Sequence, residues 1–339
     1  MKEAILYEKL KDSKVKCGVC NHRCLISDGK KGICGVRKNE GGKLYTLVYG
    51  KAIAENVDPI EKKPFFHFMP GSTSLSIATM GCNFKCAHCQ NADISQSDLI
   101  LGKDLLPEKV IEDTLKNNCP SIAYTYTEPT IFVEYALDTM KLAKKNGIKN
   151  IWVSNGYMTK ETLDLIGPYL DAINVDLKGF TEKFYQEVCK AKLAPILDNL
   201  KEIKSAPRAG GRRKKIWLEV TTLLIPTKND SSKDLKNIAE FIAKELGVET
   251  PWHISRFFPA YRMMDLPPTK VETIRKAVEI GRKAGLKYVY SGNIPGDSFE
   301  DTYCSKCKEK MIDRIGYSIE RFDDKGMCSK CKTNLNLIL

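Results

Sequence analysis

Short runs of apolar, often β-branched residues alternate along this chain with longer stretches whose apolar positions recur every three to four residues. The runs at 75–80, 122–127, 150–154, 172–177, 217–224, 253–258 and 287–290 read as strands, several of them buried on both faces. Between them, 107–117 opens with a proline in its first turn and 131–145 stops ahead of Gly147. Residues 233–246 and 269–283 carry the same helical spacing. Strand and helix in alternation, with short connections, predict an α/β fold with a parallel sheet of βαβ units between about residues 72 and 296. Roughly six or seven units are too few for a closed eight-fold barrel. A partial or open barrel is expected; the pattern also admits a doubly wound sheet.

Cysteine placement adds two small segments to this picture. Of the 13 cysteines, Cys17, Cys20, Cys24 and Cys34 lie near the start, Cys82, Cys86 and Cys89 form a central group, and Cys304, Cys307, Cys328 and Cys331 lie near the end. Only Cys119 and Cys189 stand apart. The expected layout is a cysteine-rich segment and lead-in at 1–71, a catalytic-size domain at 72–296, and a second cysteine-rich segment at 297–339. With 42% hydrophobic and 28% charged residues the chain has an ordinary globular composition. No apolar run reaches the roughly 18 residues of a membrane span. Residues 1–16 are rich in Lys and Glu and lack the apolar stretch of a secretion signal. A cytoplasmic location is expected, and there thiols bind metals more often than they form disulfides.

The central group is Cys82-x3-Cys86-x2-Cys89, in the loop after the first predicted barrel strand. Structural zinc sites use four protein ligands, and iron–sulfur clusters are usually held by four thiolates. Three cysteines leave two readings open. His88 could complete a zinc site. Alternatively, a 4Fe–4S cluster could keep one iron free to chelate the amino and carboxylate groups of S-adenosylmethionine. One electron would then cleave a carbon–sulfur bond and leave a 5′-deoxyadenosyl radical, chemistry that belongs to the cofactor.

This CxxxCxxC loop resembles the signature of the radical SAM superfamily. The chain is more closely similar to the pyruvate formate-lyase-activating-enzyme-like branch, and within it to the AmmeMemoRadiSam-system radical SAM enzymes. The likeness runs through GCNFKCAHCQNADISQ, YTYTEPTIFVEY, VSNGY, INVDLKGF, EVTTLLIPTKNDS, HISRFFPAYRM and GLKYVYSGNIPG. It implies a partial (β/α)6-type radical SAM barrel, with the cluster on Cys82, Cys86 and Cys89. It also implies cofactor-binding roles at strand ends, where barrel enzymes place their sites. Glu128 would hold the methionine ammonium; the family's turn often reads Gly-Gly-Glu, and here Thr127-Glu128 keeps only the acid. Ser154 and Asn155 would meet the methionine carboxylate or ribose. Asp176 and Lys178 share a strand face and suit ribose and carboxylate. Residues 221–229 would line the adenine, with His253, Ser255 and Arg256 towards the same rim and His88 near the adenine. Plainer roles stand beside these: a helix cap for Glu128, an internal ion pair for Asp176 and Lys178, and small buried hydrophobes for Cys119 and Cys189.

Cys304-x2-Cys307-x20-Cys328-x2-Cys331 has the spacing of a zinc ribbon or a rubredoxin-like iron site. Tyr317, Ile319 and Phe322 are expected in a β-hairpin, with Asp323 to Gly326 as its turn. The N-terminal set, with His22 inside it, could bind zinc or an auxiliary iron–sulfur cluster; structural zinc is the default expectation. The formal charge of +12 is densest at Arg208, Arg212, Arg213, Lys214 and Lys215, in a loop at 205–215. No aromatic residues interleave there, so nucleic acid is not strongly indicated. The resemblance implies a low-potential electron donor such as ferredoxin or flavodoxin, and a glycyl radical formed on a partner protein. AMMECR- and Memo-type proteins are associates implied by the family name. The extra cysteine segments, which a basic activase does not need, leave a distinct substrate, small molecule or protein, open beside it. A zinc-stabilised nucleic-acid or protein-binding module without catalysis is the reading of another class.

Overall fold

A computed structural model describes residues 1–205, 215–294 and 296–339. Arg208, Arg212, Arg213 and Lys214 of the predicted basic loop lie outside the described residues. The chain's centre is an eight-stranded sheet whose strands follow one another in sequence order. It runs β1 (Ala54–Pro59), β2 (Thr73–Ala78), β3 (Ser121–Tyr124), β4 (Lys149–Ser154), β5 (Ala172–Asp176), β6 (Trp217–Leu224), β7 (Trp252–Arg256) and β8 (Val289–Gly292). The seven strands β2 to β8 are parallel, and β1 pairs antiparallel with β2. Six helices fill the six crossovers: α1 (Pro107–Lys116), α2 (Val133–Lys145), α3 (Lys160–Ile166), α4 (Ala194–Lys204), α5 (Ser232–Phe241) and α6 (Val271–Lys283). This is the expected partial six-fold barrel, completed by a seventh parallel strand.

The strands form because nearly every side chain in them is covered. All four residues of β3 are buried, as are Ser74 to Ala78 of β2. The helices bury one stripe each; in α6 it is Ile274, Ala277, Val278 and Gly281, the i, i+3, i+4, i+7 pattern. Gly281 permits close contact with the sheet: a Cβ there would stand 3.0 Å from Val289 and 3.1 Å from Trp252.

The segment between β1 and β2 plugs the lower half of the barrel. Ile60, Phe65 and Phe68 pack with Ala123, Ile151 and Ala172, residues from three successive parallel strands. Glu219 of β6 fixes the plug by accepting from the backbone N–H of Phe66 at 3.0 Å and of His67 at 2.9 Å. Asn174 of β5 donates to the Pro64 carbonyl at 2.7 Å. The main sheet and its plug therefore begin near residue 54, ahead of the expected boundary at 72.

Both cysteine-rich ends are small antiparallel structures joined to this barrel. At the N-terminus, Val15–Cys17 pairs with Tyr7–Lys9 and Leu25–Ile26, and Lys43–Thr46 pairs with Lys2–Glu3 and Arg37–Glu40. At the C-terminus, Lys310–Ile315 pairs with Thr302–Tyr303 and with Ser318–Arg321. The hairpin turns at Gly316 and Tyr317, with Gly316 at φ +63°. This corrects the expected turn at 323–326. Those residues make a second turn, closed by Gly326 N–H donating to Asp323 at 2.7 Å, which leads into the second cysteine pair.

A buried ion pair ties the N-terminal segment to α2. Arg37 makes two bonds to the Glu134 carboxylate, at 2.7 and 2.9 Å, and both side chains are 1% exposed. Ile5 N–H also donates to Glu134 at 2.8 Å. Removing one partner of such a pair strands a charge in the interior. Glu134→Ala should cost about 3–5 kcal/mol of stability. The urea midpoint measures it, and Arg37→Met with Glu134→Leu should recover most of the loss.

Candidate active site

The parallel strands end in a cleft of about 560 Å³ at their C-terminal edge. Cys82, Cys86 and Cys89 all line it. They sit on a loop whose path is set at Gly81, where φ is +93° and a Cβ would stand 2.6 Å from the Cys34 carbonyl oxygen. Phe84 is buried in the loop with its ring edge against Tyr157 and Tyr185. Lys85 and Ala87 donate backbone N–H groups to the carbonyls of Cys189 and Val188, each at 3.0 Å. Cys189 is buried beside Cys86 and is not a cleft residue.

Among the described residues, no three of Cys82, Cys86, Cys89 and His88 bring their ligand atoms within 4.8 Å of one another. Thiolates are the usual ligands of a multi-iron cluster, and the three cysteines present them to one cleft. His88 is buried, lines the cleft, and is pushed down to about 3 by burial and then by the nearby Lys178 ammonium. It is a neutral imidazole at ordinary pH, with Nδ1 unpartnered.

Glu128, Ser154 and Asn155 form one hydrogen-bonded group on the cleft wall. Glu128 is 1% exposed and caps the short helix Pro129–Phe132, accepting from Thr130 N–H at 3.0 Å. It also accepts from Ser154 Oγ at 2.9 Å and from Asn155 N–H at 2.8 Å. Capping and cleft placement thus hold together. Burial raises the Glu128 carboxyl above its ordinary value, and its hydrogen-bond donors only partly offset this. Asn155 Nδ2 donates to Asn83 Oδ1 at 2.7 Å, coupling the group to the cysteine loop.

Asp176 and Lys178 also line the cleft, paired at 2.7 Å. Burial opposes the Lys178 charge, but Asp176 and then the Cys86 sulfur outweigh it and hold the ammonium well above the ordinary lysine value. Thr221 and Ser255 line the cleft as well. His253 and Arg256 are not brought there, which corrects that expectation. His253 lies deeper on its strand, 3% exposed, with Nε2 at 2.7 Å from Glu219 and its ring against Phe66 of the plug and Tyr290 of β8. Arg256 is drawn to the Thr269 carbonyl at 2.7 Å.

Three cleft groups escaped sequence reasoning. Lys62 and Lys63, from the plug, each contact Asp58 at 2.7 Å. Tyr126, at φ +63°, donates to Asp58 and lies 4.0 Å under the Lys63 ammonium. Tyr317, from the tip of the C-terminal hairpin, reaches the cleft wall. Apart from the cleft, the sulfurs of Cys304, Cys307, Cys328 and Cys331 lie within 4.8 Å of one another, with two pairs at 3.5 Å. That is the spacing of a single tetrahedral ion.

A family model described as the Radical SAM superfamily matches residues 76–242. The chain is 43% identical over 344 residues to an uncharacterized protein of Methanocaldococcus jannaschii, with all of both chains covered. A second protein of that organism, named as a glycyl-radical enzyme activating enzyme, is 26% identical over 214 residues, 62% of this chain and 78% of its own. The pyruvate formate-lyase-activating enzyme of Listeria monocytogenes is 24% identical over 174 residues, 48% of this chain and 66% of its own. Among solved structures, a radical SAM methyltransferase from Sphaerobacter thermophilus shares the fold, with TM-score 0.50 and 14% identity over 66% of this chain and 67% of that one.

Burial pushes the Lys63 ammonium down to about 8, against the opposing pull of Asp58. The folded chain then releases this proton at lower pH than the unfolded chain does. Between about pH 8 and the ordinary lysine value, this group makes stability rise with pH. The urea midpoint of the wild type, followed from pH 8 upwards, should rise relative to Lys63→Met. A constant difference between the two would contradict the burial of the charged form.

Proposed function

The chain belongs to the radical SAM superfamily, and from that premise we propose that it holds a 4Fe–4S cluster on Cys82, Cys86 and Cys89 and abstracts hydrogen from a substrate in the cleft. The observation that carries this reading is a set of three thiols that line a single cleft together with Glu128, Ser154, Asn155, Asp176 and Lys178 at the strand ends. When bound, cluster and S-adenosylmethionine together supply a 5′-deoxyadenosyl radical after one-electron reduction.

The chain's own residues supply placement and charge. Glu128 is a buried carboxyl whose recorded partners are neutral donors, so an ammonium set beside it would relieve the cost of its burial. It also orients Ser154 and Asn155 on the cleft wall. Lys178 offers a cation for a carboxylate, and Asp176 an acceptor for ribose hydroxyls. Thr221 and His88 lie in the same cleft and suit the nucleoside. The electron comes from a low-potential donor of the ferredoxin or flavodoxin type. We place one zinc ion in the C-terminal quartet, where the sulfur spacing fits it. The names of the two activating-enzyme relatives favour a partner protein as hydrogen donor; with Tyr317 at the cleft wall, such a substrate would have to enter as an extended loop.

Anaerobically reconstituted protein, reduced in the presence of S-adenosylmethionine, should release 5′-deoxyadenosine and methionine, and Cys86→Ala should abolish this. Glu128→Gln should weaken S-adenosylmethionine binding roughly ten- to a hundredfold, the worth of one hydrogen bond to a charged group. No nucleoside release from a fully reconstituted sample would refute the reading. Metal analysis should find zinc that Cys304→Ser with Cys328→Ser removes while the nucleoside-forming activity of the folded fraction persists.

A further inference from the structure

Two groups of carboxylate and lysine line the cleft, and their charges balance differently. Asp176 meets one ammonium, that of Lys178. Asp58 meets two, those of Lys62 and Lys63, each at 2.7 Å. Among the described residues neither of these lysines pairs with another carboxylate. Tyr126 also donates to Asp58. Burial and the Asp58 carboxylate push its phenol up to about 12, so it stays protonated and adds no charge. Burial opposes the charge on Asp58, but Lys62, Lys63 and Tyr126 together hold its carboxyl well below the ordinary range. Two cations on one anion leave one positive charge over.

This charge is built into the cleft wall. The side chain of Lys63 is 2% exposed, that of Asp58 5% and that of Lys62 43%, and both lysines line the cleft. A buried ammonium is costly unless its charge is met. Burial pushes Lys63 down to about 8 even with Asp58 beside it, so its charged form lacks compensation that a second anion would supply. The frame around it is fixed. Tyr126 sits at φ +63°, a conformation that residues with bulky side chains rarely adopt, and its ring lies 4.0 Å from the Lys63 ammonium. Asn91, two residues beyond Cys89, donates Nδ2 to the Tyr126 carbonyl at 2.7 Å and ties this group to the end of the cysteine loop. A clamp between the plug and β1 would be complete with one lysine on Asp58; the second serves something else.

We propose that Lys62 and Lys63 form the subsite that takes an anionic group of the substrate, a carboxylate or a phosphate, in the same cleft as S-adenosylmethionine. What the subsite serves rests on the catalytic reading above; the anion site itself does not. Lysine ammonium groups bind oxyanions as point charges, and a cleft lined by one sign of charge concentrates the other. The residues given to S-adenosylmethionine come from the ends of β3 to β6 and the cysteine loop, and neither lysine is among them. A partner-protein loop meets the subsite with an acidic side chain close to its hydrogen donor. A small molecule meets it with its own acid group.

The test uses the anaerobically reconstituted full chain and reads each lysine separately. Brief acetylation by an N-hydroxysuccinimide ester, followed by mass spectrometry of the digested chain, gives the labelling rate of Lys62. Lys109, 47% exposed and outside the cleft, is the reference. Inorganic phosphate and acetate are added in separate arms, at an ionic strength fixed with chloride. An anion at about ten times its dissociation constant should slow the labelling of Lys62 about tenfold relative to Lys109. The arm that protects at the lower concentration tells phosphate from carboxylate. The protection should persist with S-adenosylmethionine bound, and Lys63→Met, which leaves one ammonium on Asp58, should lose it. Lys62 and Lys109 slowed alike, or not at all, in both arms overturns the proposal without any variant having to fold. Full protection in folded Lys63→Met also overturns it. So does protection of Lys62 by S-adenosylmethionine alone with no further effect of either anion, because the cofactor's own carboxylate then fills the subsite. Protection by an anion in a loaded chain that releases no 5′-deoxyadenosine would instead count against the catalytic reading and leave the anion subsite standing.

Discussion

The cleft rests on one close approach. The Cys34 carbonyl lies where only a glycine at position 81 leaves room, and the backbone there turns through a positive φ that glycine adopts without cost. The N-terminal segment can therefore press directly against the loop that carries Cys82, Cys86 and Cys89. From that contact the order spreads outward: His22 to Asn83, Asn83 to Asn155, Asn155 to Glu128, each link a hydrogen bond between 2.7 and 2.8 Å. A larger residue at 81 would force apart the cysteine loop, the strand ends and the N-terminal segment together.

A second constraint acts from below. The plug at residues 60–69 fills the barrel and leaves only its upper edge open, so the cleft has a floor made of side chains. Glu219 holds that floor through two backbone N–H groups and the His253 ring, and these partners lower its carboxyl despite burial. Lys62 and Lys63 rise from the same plug to the cleft, with Asp58 between them. The outcome is a cleft with three cysteine sulfurs on one side and ammonium groups on another.

Much of this was legible in the sequence, because strands buried on both faces announce themselves. The β6 strand occupies the expected 217–224, and β5 ends one residue earlier than expected. The cysteine spacings separated three groups, of which the C-terminal one gathers its sulfurs within 4.8 Å, and strand-end position brought Glu128, Ser154, Asn155, Asp176 and Lys178 to one cleft. Strand β1 was missed because Ala54–Pro59 mixes exposed and buried positions without the apolar run that marks its neighbours. His253 was misplaced for a reason of height. It shares a face with Ser255, but two residues earlier along a strand is about 6.6 Å deeper, which puts it beside Glu219 of β6 and against the plug instead of at the cleft. Lys62 and Lys63 carry no periodic signal; only the threading of their segment through the barrel gives them a role. The gathering of the four C-terminal sulfurs within 4.8 Å is a property of the folded loops that spacing in sequence does not encode.

The central claim is that three thiols leave one metal position open to S-adenosylmethionine in this cleft. The most direct measurement is electron–nuclear double resonance on the reduced, reconstituted protein with S-adenosylmethionine labelled at its amino nitrogen. The account predicts a hyperfine coupling from that nitrogen to the paramagnetic cluster, present in the wild type and absent from the variant lacking Cys82, Cys86 and Cys89. A fully loaded, reduced wild type whose spectrum shows no coupling to the labelled nitrogen would contradict it.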